Sequence, residues 1–470
     1  MVNKKDTLRT SGIQQNISKN AEPLRITSAT GFDFSGRHMT AFGGTFLLGS
    51  LIEKLGLIEL MDQTLTIERK TIIPASKMIT ALIYLLFIGL ERLNHVLRIA
   101  NDEMIKRLLG IMKLPVQSTF WRLFNLSLHK HNERQFQKVQ HILRERVWQL
   151  TNVKASRYEV NTDTTSAIAY GNQNGAKVGY CPTKRGAKCF RPLLSSLSQT
   201  REILLAQQRS GDRVGGLELA KHLKRVFRQL PTDARRIWRA DSEFYCKEAI
   251  MVCEQHRVSF AVSVRKTAPV IDLIQKAIWL ESKICDGITE FRYQPSGWKR
   301  EYRFIAARYE KKPDEQTDLF EDTKYKYRVF VTDMSDSTET IVAEYDGRAG
   351  IENLIEEAKN QIGFSKIPGK NFTANGLFLQ IVVLTFNLCR YLQMFGRPEN
   401  EEHRNEEIKT IRHKTIFISA KIAEHARYTN IHFGGEYPLK HWFNELMRRI
   451  RAIDMSVPIP KPVINRVLIV

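Results

Sequence analysis

The hydrophobic period of this chain switches between Leu150 and Arg157, and that switch limits what the chain can fold into. From about Ala41 to Leu150 apolar residues recur at helical spacing, in FLLGSLIEKLGLIELM, KMITALIYLLFIGLERLNHVL, NDEMIKRLLG and a longer segment from Gln117. At RYEVNTDT the period becomes two, and CFRPLLSSLSQ and REILLAQQR read as two further strands. GLELAKHLKRVFRQL then reads as an amphipathic helix, RRIWRAD as a strand, SEFYCKEAIMVCEQHR as a helix and VSFAVSVR as a strand. A three-strand meander followed by alternating helix and strand predicts a mixed α/β sheet over 156–265.

Residues 266–330 break that rhythm. ITEFRYQPSGWKREYRFIAARYEK places a PSG turn between alternating segments, which signals an antiparallel hairpin. PDEQTDLFED reads as an acidic surface loop and KYKYRVFVTD as a returning strand, so a β-rich insertion is expected. From Thr338 to about Arg451 the pattern predicts helix, and VPIPKPVINRV is extended by its prolines. Residues 1–40, rich in Ser, Thr, Asn and Gly, predict a mobile polar arm.

Charge narrows the partners. Lys and Arg exceed Asp and Glu by 72 − 50 = 22, which points to polyanions: nucleic acid first, an anionic membrane surface second. The uncharged apolar run Met78–Leu90 has 13 residues, short of the roughly 18–20 that a spanning helix needs. The run Gly376–Cys389 is also read as too short, so no membrane partner is expected. The N-terminal stretch has no apolar core of a secretory signal. Six cysteines form no CxxC pair and no His cluster has zinc spacing, so they read as reduced thiols of a cytoplasmic protein.

One join within 41–150 has helix-turn-helix character. NDEMIKRLLG stops at Gly110, and after Pro115 either Ser118 or Thr119 would cap a new helix. Such a helix would present Gln117, Ser118, Thr119 and Arg122 to DNA. Two packed helices joined by a turn fit the same residues.

The stretch YDGRAGIENLIEEAKNQIG, Tyr345–Gly363, carries the chemistry. On a single helix at about 100° per residue, Tyr345, Arg348, Glu352 and Lys359 share an arc about 60° wide beside the stripe Ile351, Ile355, Ala358 and Ile362. An ordinary surface helix with Arg348–Glu352 and Glu356–Lys359 pairs accounts for the same pattern, and Glu356 lies on nearly the same face as Glu352. Asp163 shares a strand face with Glu159 and Asn161, and Asp241 ends the strand RRIWRA. Carboxylates at strand ends are where open α/β sheets place ligands. Converging carboxylates in a basic chain suit two Mg²⁺ ions, about 3.5–4 Å apart, in phosphoryl transfer on DNA.

The spacing Tyr345, Arg348, Glu352, Lys359 resembles the Y-R-E-K signature of bacterial insertion-sequence DDE transposases, the "IS four" superfamily. NTDTTSAIAYGNQNGAKVGYCP around Asp163 is similar to the first-aspartate block of its "IS thirteen-eighty" branch, and RADSEFY to the second. The resemblance runs from about Ala41 to about Arg390. Cys181 stands where Asn is expected in GYNP, and Glu243 where Gly is expected after the second aspartate.

What the resemblance implies is specific. The catalytic core would be RNase H-like, split over 156–265 and 331–390 by the insertion 266–330, with a DNA-binding region at 41–150 and a helical, candidate dimerisation region at 391–470. Asp163, Asp241 and Glu352 would hold two Mg²⁺ ions, or Mn²⁺ in substitution. Tyr345, Arg348 and Lys359 would contact phosphates of the transposon ends. The implied activity is metal-dependent cleavage at terminal inverted repeats and transfer to target DNA, through a hairpin intermediate, by a homodimer at the bacterial nucleoid. Trp298 in the hairpin turn would hold a flipped base, or would pack the turn onto the core. Trp238 reads as core.

Overall fold

The computed structural model describes residues 26–67, 71–181, 184–311, 324–397, 406–425 and 428–454. Residues 1–25 of the expected arm, the acidic loop PDEQTDLFED and the proline-rich tail lie outside them.

One eight-stranded sheet organises the chain from Met39 onward. Its strands are β1 (Arg157–Thr164), β2 (Leu193–Leu197), β3 (Ile203–Gln207), β4 (Arg235–Ala240), β5 (Ser259–Ser263), β6 (Gly287–Tyr293), β7 (Tyr302–Glu310) and β8 (Tyr325–Thr332). They lie in the order β6-β7-β8-β5-β4-β1-β2-β3. β4 is parallel to both β1 and β5, and the other pairs are antiparallel. This is a mixed α/β architecture. The three strands of 266–330 are not a separate layer: β8 pairs with β5, so the expected insertion extends the sheet.

Strand alternation sends side chains to both faces. Val160, Trp238, Ala240 and Leu205 face one core, and Leu194, Ile203 and Ala206 another. The helices that cover them are α1 (Ala75–Ile88), α2 (Lys130–Leu150), α3 (Gly216–Phe227), α4 (Lys247–His256), α5 (Thr338–Asp346), α6 (Ala349–Gln361) and α7 (Phe372–Gly396). α3 and α4 pack together against the Trp238 face. α1, α2 and α7 form the other core, where every residue of α1 but Lys77 is buried. α5 covers Ile237, Ala261, Ile305 and Phe330.

Two expectations are corrected here. The apolar run at 376–389 belongs to a longer helix: α7 has 25 residues and is long and apolar enough to cross a membrane, but 89% of its apolar window is buried in the protein. It is a core helix. The chain also fails to stay helical from Thr338 to Arg451. Ala420–His425 and Tyr428–Phe433 form an antiparallel hairpin that pairs with Met39–Thr40, before a last helix, Lys440–Arg451. KIAEH and YTNIHF alternate polar and apolar residues, and the β-branched Ile and Thr suit a pleated edge.

Candidate active site

β1 and β4 run parallel with Thr162 opposite Ala240, so the next residues, Asp163 and Asp241, emerge side by side at the strands' C-terminal ends. A buried network fixes that register: Trp238 Nε1 donates to Thr162 Oγ1 (2.9 Å), which is bonded to Ser195 Oγ (2.7 Å), itself bonded to His222 Nε2 (2.9 Å). Burial pushes His222 down to about 3, so it is a neutral ring in this network. Trp238 is core, and its indole N–H is satisfied.

Both aspartates are costly where they are. Asp163 accepts from its neighbour, Thr164 N, at 2.7 Å, and Asp241 caps a short turn by accepting from Glu243 N at 2.8 Å. Burial, then the charge of Asp241, raises Asp163 to about 7 despite nearby Arg348. Burial also raises Asp241, against the hydrogen bond from Glu243 and the charge of Arg348. Two half-buried carboxylates close to each other favour a cation between or beside them.

The chain supplies one itself. Arg348 places Nη1 3.4 Å from Asp163 Oδ2 and Nη2 2.8 Å from Glu352 Oε1. Glu352 is thereby tied to the Asp163 neighbourhood, although its side chain is 60% exposed. An open cavity of about 350 Å³ is lined by Asp163, Glu352, Glu356, Lys359 and Asn360. Lys359 is half-buried, and desolvation lowers it against the pull of Cys181 and Glu356. Among the described residues no three of His, Cys, Asp and Glu converge closely enough to hold a metal ion. All three are nevertheless carboxylates, the oxygen donors that a hard divalent cation takes, two of them half-buried, and an arginine now meets their charge.

The single helix expected over Tyr345–Gly363 is two. α5 ends at Asp346 and α6 starts at Ala349, with i→i+3 bonds from Arg348 N to Tyr345 O and from Ile351 N to Arg348 O across the join. The cause lies in another strand. Buried Arg239 donates Nη1 to Glu344 O (2.5 Å) and packs where a Cβ on Gly347 would sit 2.7 Å from it. Arg239 is held by Asn161 Oδ1 (2.9 Å), Ser198 Oγ (2.8 Å) and Glu159 Oε2 (2.7 Å). Thus Tyr345 ends one helix while Arg348, Glu352 and Lys359 begin and line the next. Tyr345 is buried, its ring 4.4 Å from that of Phe330, with the Arg348 guanidinium 5.7 Å above it.

The other candidates lie elsewhere. Trp298 is half-buried at the β6–β7 turn, against Tyr245 (5.3 Å) and Tyr302 (5.2 Å). Gln117, Ser118, Thr119 and Arg122 sit on a six-residue helix, Gln117–Arg122, which follows helix Glu103–Leu109 and its left-handed Gly110. All but Thr119 and the buried Phe120 of that helix are exposed. The cap is Val116, and neither Ser118 nor Thr119 caps as expected.

Sequence reasoning missed the clamp around Asp241. Arg191 donates to both Glu243 oxygens (3.0 and 2.6 Å) and to Thr164 Oγ1 (2.6 Å), while Arg265 holds the carbonyls of Ser242 and Glu243. Glu243, the departure from the expected Gly, is therefore a neutralised strut. Its charge and that of Arg191 were visible, but their pairing depends on strand order.

A family model described as transposase DDE domain group 1 matches residues 26–455. No curated protein matches the chain. A solved structure titled as the cryo-EM structure of a piggyBac transposase synaptic complex with hairpin DNA aligns with TM-score 0.43 and 12% identity, over 79% of this chain and 77% of that one.

Proposed function

Because the chain belongs to the DDE-domain transposase family, we propose that it binds terminal inverted repeats and cuts and joins DNA at the cavity of Asp163 and Glu352, with Asp241 beside Asp163. The observation that carries this reading is the half-buried aspartate pair at adjacent parallel strand ends, with Asp163 bridged through Arg348 to Glu352. The order β3-β2-β1-β4-β5 supports an RNase H-like core, with β2 antiparallel to both its neighbours.

DDE transposases generally use divalent metal ions. Asp163, Asp241 and Glu352 would hold two Mg²⁺, or Mn²⁺, which lower the pKa of bound water and offset charge on the phosphate. The chain's own residues do the rest. Lys359 lines the cavity and Arg348 bonds Asp163 in its wall, so a phosphodiester oxygen there would meet charge-assisted donors. Tyr345 carries Arg348 on its ring face and acts by positioning it. Arg191 and Arg265 keep the Asp241 turn from moving as charge changes beside it. Second-strand cleavage through a hairpin, with Trp298 holding a flipped base, and a homodimer pairing two ends complete the reading, set at the bacterial nucleoid.

Strand transfer tests it against the two rivals. With precut ends and Mg²⁺, a transposase joins the 3′-hydroxyl to a target plasmid. A nuclease of the same fold cuts without joining, and a non-catalytic regulator only binds.

A further inference from the structure

Directly after Asp163 the chain leaves the main sheet for a flap, residues 165–191. Its strands Ala167–Ile168, Lys188–Phe190 and Lys177–Val178 form a small antiparallel sheet in that order. From Thr164 to Arg191 the sequence has five Lys and Arg and no Asp or Glu. Lys177 is offset by Asp212 at 2.9 Å and Arg191 by Glu243 at 2.6 Å, and Lys184, Arg185 and Lys188 add further positive charge to the row.

Two large rings stand out on this flap. Tyr170 is 82% exposed and Tyr180 72% exposed. Each has a cation beside it: Lys184 lies 5.7 Å from the Tyr170 centroid and Arg191 5.9 Å from that of Tyr180. Arg191 is the residue that bonds Thr164 and Glu243, so Tyr180 is two contacts from the residue next to Asp163. Cys181, the next residue, is close enough to Lys359 to act on its charge.

The flap is held in shape. Asn174 N donates to Lys370 O at 2.8 Å, and Gly175, at φ 81°, packs where a Cβ would sit 2.5 Å from the Phe372 ring. Gly179 lies so near Gly211 that a Cβ would overlap its carbonyl. The rings therefore stand on an anchored support, exposed for a purpose other than packing.

We propose that Tyr170 and Tyr180 are stacking platforms for unpaired bases of the DNA strand whose phosphodiester enters the cavity at Asp163. The proposal rests on the transposase reading. Cations alone would serve a paired backbone, whereas an exposed ring face matches a base face only where the base is out of the duplex. Stacking on an aromatic, with a cation to track the backbone, is the pattern of single-strand binding.

The test is anisotropy binding in EDTA, so that no strand is cut, with two DNAs of one sequence: fully paired, and with the terminal bases unpaired. Wild type is expected to favour the unpaired form. Tyr170→Ala/Tyr180→Ala is expected to lose about fivefold or more for that form and to keep its affinity for paired DNA. Tyr170→Phe/Tyr180→Phe, which keeps both rings, is expected to bind like wild type. Equal loss on both DNAs, no loss on either, or a Phe pair as weak as the Ala pair overturns the proposal. Wild-type strand transfer run in parallel separates the failures: joining without any flap effect sinks only the flap, and absence of cutting and joining sinks the transposase reading.

Discussion

At Asp163 two costs meet, the burial of a carboxylate and the charge of Asp241 beside it. A group raised in the folded state stabilises the fold at low pH and withdraws that stability as pH rises through its folded value, here about 7. With EDTA present at pH 8, Asp163→Asn should therefore melt about 1–3 °C above wild type, and the gap should narrow as pH falls to 5, towards the unfolded value of 3.8. Mg²⁺ should raise the melting temperature of wild type more than that of the variant, because a ligand of the folded state alone stabilises it. Equal melting of both proteins at every pH contradicts this account. Glu352 and Glu356 give a second test, since both reach the same cavity but only Glu352 is bonded to Arg348. Glu352→Gln is nearly isosteric and should keep folding and DNA binding while cutting at least about a hundredfold more slowly. Glu356→Gln should keep most activity. Adding Asp163→Asn to Glu352→Gln should cost little more, as groups acting together are not additive. Gel assays of nicking rates decide, and a dead Glu356→Gln beside an active Glu352→Gln removes the proposed triad.

Helix α6 owes its position to one residue on its buried face. Glu357 accepts from Arg390 Nη2 (2.5 Å), Arg201 Nη2 (3.1 Å) and Ile408 N (2.7 Å), tying α6 to α7 and to the start of helix Ile408–Thr415. Glu357→Ala leaves buried Arg390 without that carboxylate and should cost about 3–5 kcal/mol, read by denaturant unfolding. A loss below about 1 kcal/mol means the group is solvated. In the run IEEAKN, Glu357 looks like one more surface charge, so its burial was not legible. The same limit explains the broken helix. Spacing marked Arg348, Glu352 and Lys359 as a group; in the structure Glu352 and Lys359 line one cavity with Asp163, and Arg348 bonds Asp163 and Glu352. The break at Gly347 was hidden because Arg239, a strand residue more than a hundred positions upstream, takes the carbonyl of Glu344. Strand ends at Asp163 and Asp241 were legible because alternation and a following helix mark them locally. The hairpin at 420–433 was not, since its partner strand begins at Met39.

For the whole molecule, a net charge of +22 makes DNA affinity a function of salt. Each phosphate neutralised contributes about −0.9 to the slope of log affinity against log salt, so a slope steeper than about −3 is expected from fluorescence titrations. A shallower slope contradicts an extended DNA footprint. The large mixed sheet places the acidic pair at the β1–β4 ends, and the flap carries its cations directly beyond Asp163. The arrangement sets carboxylates together at one cavity in a chain of net positive charge, which is what the proposed gripping and cutting of DNA requires. The most direct test is incubation of wild-type protein with linear DNA carrying candidate terminal repeats, with Mg²⁺ or with EDTA, and mapping of every new end. The account predicts cuts at the repeat boundary that leave a 3′-hydroxyl, present with Mg²⁺ and absent with EDTA. Cuts that persist in EDTA, or binding to the repeats with no cut in Mg²⁺ or Mn²⁺, would contradict it.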